Sequence, residues 1–170
     1  MTETPPIHDK AVEAIVAVLG RERLMSVAFN RPDGWPQVTT VGYLNEGLNL
    51  YFVISRDSQK FRNMQSDPRV SVAIRAKAGE RGDAVGVYMA GRAREVTDPV
   101  AIQRLNDQVA ARFPDVHVYC PGGSSVAVIH LAPLIVSSVS VIDGRSHALS
   151  FSVGADGVAV AEPSPESRLF

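Results

Sequence analysis

The spacing of apolar positions changes near the start of the chain, from a helical pattern to an alternating one. Residues 8–20 carry apolar side chains at helical spacing, and Gly20 follows them, which predicts an amphipathic first helix. Residues 23–30 alternate loosely between apolar and polar positions and end in the turn signal Arg31-Pro32-Asp33-Gly34. The pattern therefore predicts a helix followed by a β-hairpin over residues 24–41.

Short strands continue after this hairpin. The turn Asn45-Glu46-Gly47 separates two strand-like runs, and Asp67-Pro68 ends a short polar helix that opens at Ser58. A fourth strand is predicted from Arg69, and a long strand bent at Gly91 is predicted over residues 84–97. Several short strands in a meander are typical of a barrel.

The last third of the chain adds a helix and more strands. Asp98 at the cap and Pro99 at the first helical position predict a helix that runs to Phe113-Pro114. Strands are predicted over residues 125–131 and 135–142. Residues 1–160 are expected to form a single β-rich α+β domain, and the polar tail 161–170 is expected to lack fixed structure.

Composition narrows the class of protein. Seventeen basic and eighteen acidic side chains in 170 residues give a net charge of -1, which argues against a nucleic-acid partner. Cys120 is the single cysteine, so an internal disulfide is excluded, and the chain lacks a signal-peptide pattern and an apolar run of membrane-spanning length. We expect a soluble, cytoplasmic protein without a membrane partner.

The most informative polar cluster lies where the third predicted strand gives way to the short helix. It consists of Ser55, Arg56, Ser58, Gln59 and Lys60. A helix start offers unsatisfied amides and a positive dipole end to an anion, and the two cations add charge-assisted hydrogen bonds. The alternative is that Asp57 or Ser58 only caps the helix while Lys60 is solvated.

Other candidate positions carry less information. Val38-Thr39-Thr40-Val41 is a strand whose backbone could meet a planar ligand, although threonine is also an ordinary strand residue. The histidines at 8, 117, 130 and 147 show no ligand spacing, so no metal is expected. His130 lies in an apolar strand and is interpreted as structural or edge-exposed, with approach to a flavin or a haem as the alternative. Trp35 at the hairpin tip is expected to be buried, with covering of a ligand in a partner subunit as the alternative.

Five motifs in order resemble the flavin-binding split-barrel superfamily that includes the pyridoxamine 5'-phosphate oxidases. They are Asp33-Gly34-x-Pro36-Gln37-Val38, Gly47-x-x-x-Tyr51-Phe52, Ser58-x-Lys60-x-x-Asn63-Met64, Asp67-Pro68-Arg69-Val70-Ser71-Val72 and Gly91-Arg92-Ala93. The resemblance spans residues 22–97. The order and spacing of the five motifs carry more weight than any one of them.

The resemblance implies an antiparallel split barrel that forms a homodimer with flavin mononucleotide (FMN) bound between the subunits. By the same resemblance, the second strand lies along the flavin, the end of the third strand contacts it, and the Ser-x-Lys step binds its phosphate. The implied cofactor-binding residues are Val38, Thr39, Thr40, Val41, Val53, Ile54, Ser55, Arg56, Ser58, Gln59 and Lys60. The implied activity is an FMN-dependent oxidoreductase that takes hydride from NAD(P)H and passes electrons to a small molecule.

The chain departs from the oxidases themselves. Pro36 and Val41 stand where those enzymes have basic residues at the two ends of the second strand, and their C-terminal tryptophan and arginine-x-histidine signature is missing from residues 145–170. Oxidation of pyridoxamine phosphate is therefore not expected. Three alternatives remain open, namely an F420-dependent reductase of the same fold, a non-catalytic flavin- or haem-binding protein, and a structural dimeric barrel without a cofactor.

Overall fold

The structure is a computed structural model that describes residues 7–76, 84–115, 125–142, 145–155 and 159–161. Its elements are α1 Ile7–Arg21, β1 Leu24–Asn30, β2 Pro36–Glu46, β3 Asn49–Ser55, α2 Gln59–Ser66, β4 Arg69–Ala76, β5 Ala84–Val96, α3 Pro99–Arg112, β6 Val126–Ile142, β7 Arg145–Val153 and β8 Ala159–Ala161. His117, Cys120 and the polar tail after residue 161 lie outside the described residues. None of the helices described is long and apolar enough to cross a membrane.

Six antiparallel strands form a closed barrel. Their order is β3-β2-β1-β4-β5-β6, and pairing of β3 with β6 closes the ring, while β7 and β8 extend the sheet from β6. The predicted β-rich α+β split barrel is confirmed. The predicted first helix, the hairpin, the short second helix and the helix that begins after Asp98 are also present.

The barrel core follows from strict alternation along the strands. On β1, Met25, Val27 and Phe29 point inward and are at most 1% exposed, whereas Leu24 points outward and is 62% exposed. The same period-2 pattern runs along β4. Because one set of alternate residues fills the interior, the register of each strand is fixed by its apolar positions.

Helix α1 joins this core through its apolar stripe. Ile15 and Leu19 are buried with the barrel residues, and the Tyr43 hydroxyl donates a hydrogen bond to the Leu19 carbonyl at 2.9 Å. Burial raises the pKa of the Tyr43 hydroxyl, so it stays a donor at every physiological pH. Tyr43 therefore fixes the end of α1 to the middle of β2.

The prediction of two separate strands over residues 125–131 and 135–142 was wrong. A single strand, β6, runs from Val126 to Ile142 and pairs with β5 on both sides of a register shift next to Gly91. Pro133 lies at that irregularity and Leu134 is skipped in the pairing, so the missing proline N–H is accommodated at the bulge. Strands β7 and β8 had not been predicted from the sequence.

The barrel opens where β2 changes partner. Residues Tyr43–Glu46 of β2 pair with β3, but residues Pro36–Gly42 pair with β1 on one side and have no described strand on the other. The end of β3 pairs only with β6 at this level. Helix α2 follows β3 directly and packs beside this gap through Phe61 and Met64, which are buried.

Candidate functional site

The turn from β3 into α2 is held by one serine. Ser58 is the N-cap of α2, and its Oγ accepts a hydrogen bond from the Phe61 amide at 3.2 Å. The same hydroxyl donates to the Ser55 carbonyl at 2.6 Å, and the Ser58 amide donates to that carbonyl at 3.1 Å. These contacts fix where the helix begins and occupy the Ser58 proton, so Ser58 shapes the corner rather than offering a donor to a ligand.

The two arginines at this corner are already engaged by other residues of the chain. Arg56 forms an ion pair with Glu95 of β5, which raises the pKa of the Arg56 guanidinium. Arg62 donates to the Asp57 carbonyl at 2.9 Å and to the Gln59 side-chain oxygen at 3.2 Å.

Lys60 differs from both arginines. Its side chain is half-buried in the first turn of α2 and makes no hydrogen bond or ion pair with another described residue. An ammonium group at a helix start is suited to bind an anion, because the amides of the first turn also point there. Lys60 is therefore the cation at this corner that a ligand can engage without breaking an ion pair.

The strand positions predicted to contact the cofactor divide between two faces. Val38 and Thr40 point outward and are exposed, whereas Thr39 and Val41 point toward the barrel interior and are partly buried. On β3, Val53 is half-buried and faces outward, Ser55 is exposed, and Ile54 belongs to the core at 3% exposed, so a ligand can reach Ile54 only through its backbone.

Trp35 does not behave as predicted. It lies at the β1–β2 hairpin tip with 71% of its surface exposed, so the expected burial of the hairpin end was wrong. The turn itself is held by an Arg31–Asp33 ion pair and by a hydrogen bond from the Trp35 amide to Asp33 at 3.1 Å. The Trp35 indole is therefore available to a second molecule.

A groove of about 560 Å³ adjoins the predicted cofactor strands. Its floor is the outer face of β2, β3 and β6, and its wall is the second half of α3. The lining residues are Arg23, Leu24, Gly42, Tyr43, Leu44, Tyr51, Phe52, Val53, Leu105, Asn106, Val109, Phe113 and Val128. At its rim, the Arg23 guanidinium lies 4.7 Å from the centroid of the Phe113 ring.

Helix α3 is fixed over this groove by polar contacts with the β2–β3 turn. Arg104 and Gln108 donate to the Glu46 carboxylate at 3.1 and 2.7 Å, and Arg112 donates to the Asn45 carbonyl and side-chain oxygen at 3.1 and 2.9 Å. These four hydrogen bonds, made by three residues along one face of the helix, hold its apolar residues toward the sheet. The contacts of these residues could not be predicted from the sequence, since only the topology brings residues 45–46 and 104–112 together.

His130 forms a second polar network beside the groove. Its ring stacks on Tyr51 at 4.9 Å, Nδ1 accepts a hydrogen bond from the Arg94 Nε at 3.3 Å, and Nε2 lies 2.8 Å from the Asn49 side-chain oxygen. Burial and the Arg94 charge lower the pKa of His130. Both ring nitrogens are therefore engaged, which is what the interpretation of His130 as a structural residue requires.

The chain belongs to the pyridoxamine 5'-phosphate oxidase family, because the family model matches residues 11–140. This match includes the five motifs and extends past them through α3 and most of β6. No curated protein matches the chain significantly.

Solved structures show the same fold at low sequence identity. A haem-binding protein from Mycobacterium smegmatis has a TM-score of 0.69 and 21% identity over 86% of this chain and 59% of its own length. A pyridoxamine 5'-phosphate oxidase-related, FMN-binding protein from Nostoc punctiforme has a TM-score of 0.62 and 14% identity over 94% and 97%. An FAD-binding protein from Mesorhizobium loti has a TM-score of 0.62 and 22% identity over 76% and 94%.

Proposed function

We propose that the chain is an FMN-dependent oxidoreductase that binds FMN at the β3–α2 corner, between two copies of the chain. The observation that carries this proposal is that Lys60, free of ion pairs with described residues, lies at a helix start beside the barrel opening. The flavin-binding neighbours in Nostoc and Mesorhizobium support the choice of cofactor class.

The residues at the corner fit this cofactor. Lys60 and the first amides of α2 would hold the phosphate, and the unpaired edge of β2 from Val38 to Val41 offers backbone donors and acceptors to the polar edge of a ring. Exposed Val38 supplies apolar contact. Arg56 would contribute only by leaving Glu95, so Lys60 carries the phosphate interaction.

FMN, when bound, supplies hydride and electron transfer, with NAD(P)H as the proposed hydride donor. The chain supplies binding, orientation and control of solvent access. Backbone amides of the β2 edge would stabilise negative charge on a bound cofactor, because they are fixed in place by pairing of β2 with β1.

The α3 groove is the proposed place of the small-molecule substrate. It is contiguous with the cofactor strands, since Gly42 follows Val41 and Val53 belongs to both sets. Its lining is mainly aliphatic and aromatic, which favours an apolar molecule.

The proposed partner is a second copy of the chain, on the outer face of β1, β4, β5 and β6. This face holds a recess of about 440 Å³ whose lining is mostly apolar, with Ser26, Thr40, Arg75 and Tyr88 as its polar residues. The lining residues are Leu24, Met25, Ser26, Thr40, Ala73, Ile74, Arg75, Val85, Gly86, Tyr88, Val139 and Val141. The outside of a barrel in water is ordinarily polar, so an apolar recess of this kind favours a protein contact.

This face is continuous with the cofactor strand. Thr40 of β2 pairs with Ser26, which pairs with Ala73, which pairs with Tyr88, so one lateral row joins the cofactor strand to the recess. A second copy seated on this row would reach Thr40, and the exposed Trp35 indole lies on the hairpin that carries it. The cofactor site and the dimer contact are therefore proposed as one continuous surface.

Cofactor titration tests the assignment. Protein freed of bound small molecules is titrated with FMN, F420 and haem, and binding is followed by absorbance and by quenching of Trp35, the single tryptophan. The proposal predicts one FMN per protomer and weaker binding of the other two. Preferential binding of F420 or of haem would show that this molecule, and not FMN, is the cofactor.

Turnover separates an enzyme from a carrier. The FMN-loaded protein is mixed with NADH or NADPH and an acceptor such as a quinone, and nucleotide oxidation is followed in the steady state. Sustained oxidation supports the oxidoreductase. Stoichiometric FMN without turnover with any acceptor would identify a flavin-binding protein instead.

A further inference from the structure

The buried amide of Asn63 joins the two parts of the proposed FMN site. Asn63 lies in α2, and its side chain is fully buried. The nearby residues Phe61 and Met64 are also buried. Nδ2 donates to the Gln37 side-chain oxygen at 2.9 Å, and Oδ1 accepts from the Gln59 side-chain nitrogen at 2.9 Å. A single amide thus connects β2 to the first turn of α2 across the barrel opening.

Both partners lie next to residues assigned to the cofactor. Gln37 immediately precedes Val38 on β2, and Gln59 stands between Ser58 and Lys60 at the helix start. No pairing with β3 ties this part of β2 to α2, because β2 pairs with β3 only from Tyr43 onward. The amide therefore joins two cofactor-binding elements that no described strand pairing connects at this level.

A polar residue at this position is not the choice that packing alone favours. Leucine has similar volume and needs no hydrogen-bond partner, and the buried neighbours Phe61 and Met64 are apolar. A buried amide that satisfies both of its ends contributes little net stability, but it fixes geometry, because a shifted helix would leave a buried polar group unpaired.

We propose that Asn63 is a positioning residue that sets the spacing between Lys60 and the β2 edge to match the two ends of one FMN molecule. The inference rests on the proposed function. The phosphate and the ring of FMN are joined by a chain of fixed length, so elements already at the right separation bind both ends without reorganising. Asn63 acts through Lys60 and the strand and does not itself contact the cofactor.

The test compares FMN with riboflavin, which lacks the phosphate. The variants are Asn63→Leu, which keeps volume and removes both hydrogen bonds, and Met64→Leu, a buried neighbour without hydrogen bonds, as the matched control. Asn63→Leu is expected to weaken the binding of FMN by about tenfold or more and the binding of riboflavin by less than about threefold. The reason is that the alignment of the phosphate site with the ring site matters only to a ligand that has both a phosphate and a ring. Met64→Leu is expected to leave the FMN to riboflavin ratio unchanged.

A double-mutant cycle with Lys60→Ala shows whether the amide acts through the lysine. If it does, the FMN affinity of the Asn63→Leu/Lys60→Ala protein falls no more than about threefold below that of Lys60→Ala alone, because the coupled effects do not add. Independent, additive losses would overturn the positioning role. Equal losses for FMN and riboflavin in Asn63→Leu would also overturn it and leave a purely structural residue.

Gln37→Met provides the same test from the outer end of the network. Gln37 is only partly buried, so this variant removes the Nδ2 contact with less risk to folding than a change in the core, and thermal unfolding of each variant checks the fold. Should Asn63→Leu not fold, the FMN to riboflavin ratio of Gln37→Met decides alone, with an unchanged ratio against the proposal. The failure of FMN binding in the wild-type protein would reject the proposed function itself, which is a different outcome.

Discussion

At the scale of single residues, the corner between β3 and α2 is defined by which side chains are already engaged. Ser58 caps the helix, Arg56 pairs with Glu95 and Arg62 holds the turn, while Lys60 has no such contact among the described residues. Similar residue types in one short segment thus have different roles, and only the three-dimensional contacts separate them.

Lys60→Ala is expected to lower FMN affinity by about tenfold or more, because a charge-assisted hydrogen bond to phosphate is lost. Arg62→Ala is the matched control, since it removes a cation that lies two residues further along α2 and is engaged with Asp57 and Gln59. Calorimetric titration with FMN measures both. A Lys60→Ala protein within about threefold of wild type, or an equal loss in Arg62→Ala, would remove the lysine from the phosphate site.

His130 gives a prediction about pH. Its pKa is lowered in the folded protein by burial and by Arg94, while Glu46 acts weakly in the opposite direction, so the unfolded chain binds more protons near pH 6. The contribution of His130 to the free energy of unfolding should therefore be fully present above about pH 6.5 and be lost as the pH falls below that value.

Denaturant unfolding between pH 5 and 8 measures this dependence, and His130→Gln is the comparison because an amide can also meet Asn49 without titrating. The variant is expected to show a shallower decline in stability below about pH 6.5 than the wild type. Parallel pH profiles would show that His130 does not titrate differently on folding.

At the scale of elements, the sequence predicted what depends on local chemistry. The Asp98-Pro99 start of α3 and the Ser58 cap of α2 can be recognised without a structure, because each signal lies within one turn of the helix it starts. The continuity of β6 could not be predicted from the sequence, because Pro133 signals a break in a strand. How the proline is accommodated depends on the partner strand β5. The contacts of Glu46 with α3 and of Gln37 with Asn63 also join distant residues, and no local pattern specifies them.

Gly91 tests the bulge that lets β6 continue. A Cβ atom at this position would lie 2.2 Å from the Ala132 carbonyl oxygen, a backbone atom that cannot move away alone. Gly91→Ala is therefore expected to lower the free energy of unfolding by about 2 kcal/mol or more. In Gly20→Ala, the matched control, the new Cβ meets only the Asn45 side chain at 3.8 Å, and thermal unfolding should show no loss of stability. Equal stability of both variants would mean that the two strands can separate locally at no cost.

At the scale of the whole molecule, the apolar recess on the outside of the barrel is the proposed contact surface of the dimer. Tyr88 lines this recess and is 44% exposed, with its ring against Gly86. Tyr88→Glu is expected to convert the proposed dimer to a monomer and to weaken FMN binding with it, because the proposed site is shared between copies. The control Gln65→Glu adds the same charge on an exposed position of α2. Analytical ultracentrifugation with and without FMN measures both, and a wild-type monomer, or a Tyr88→Glu dimer, would contradict the assigned interface.

The central claim is that a phosphate group docks where β3 ends and α2 begins. Calorimetric titration of the wild-type protein with FMN and with riboflavin tests it most directly, because the two ligands differ only by that group. The account predicts that FMN binds about tenfold or more tightly than riboflavin, with one FMN per protomer. Equal affinities for the two flavins would contradict it.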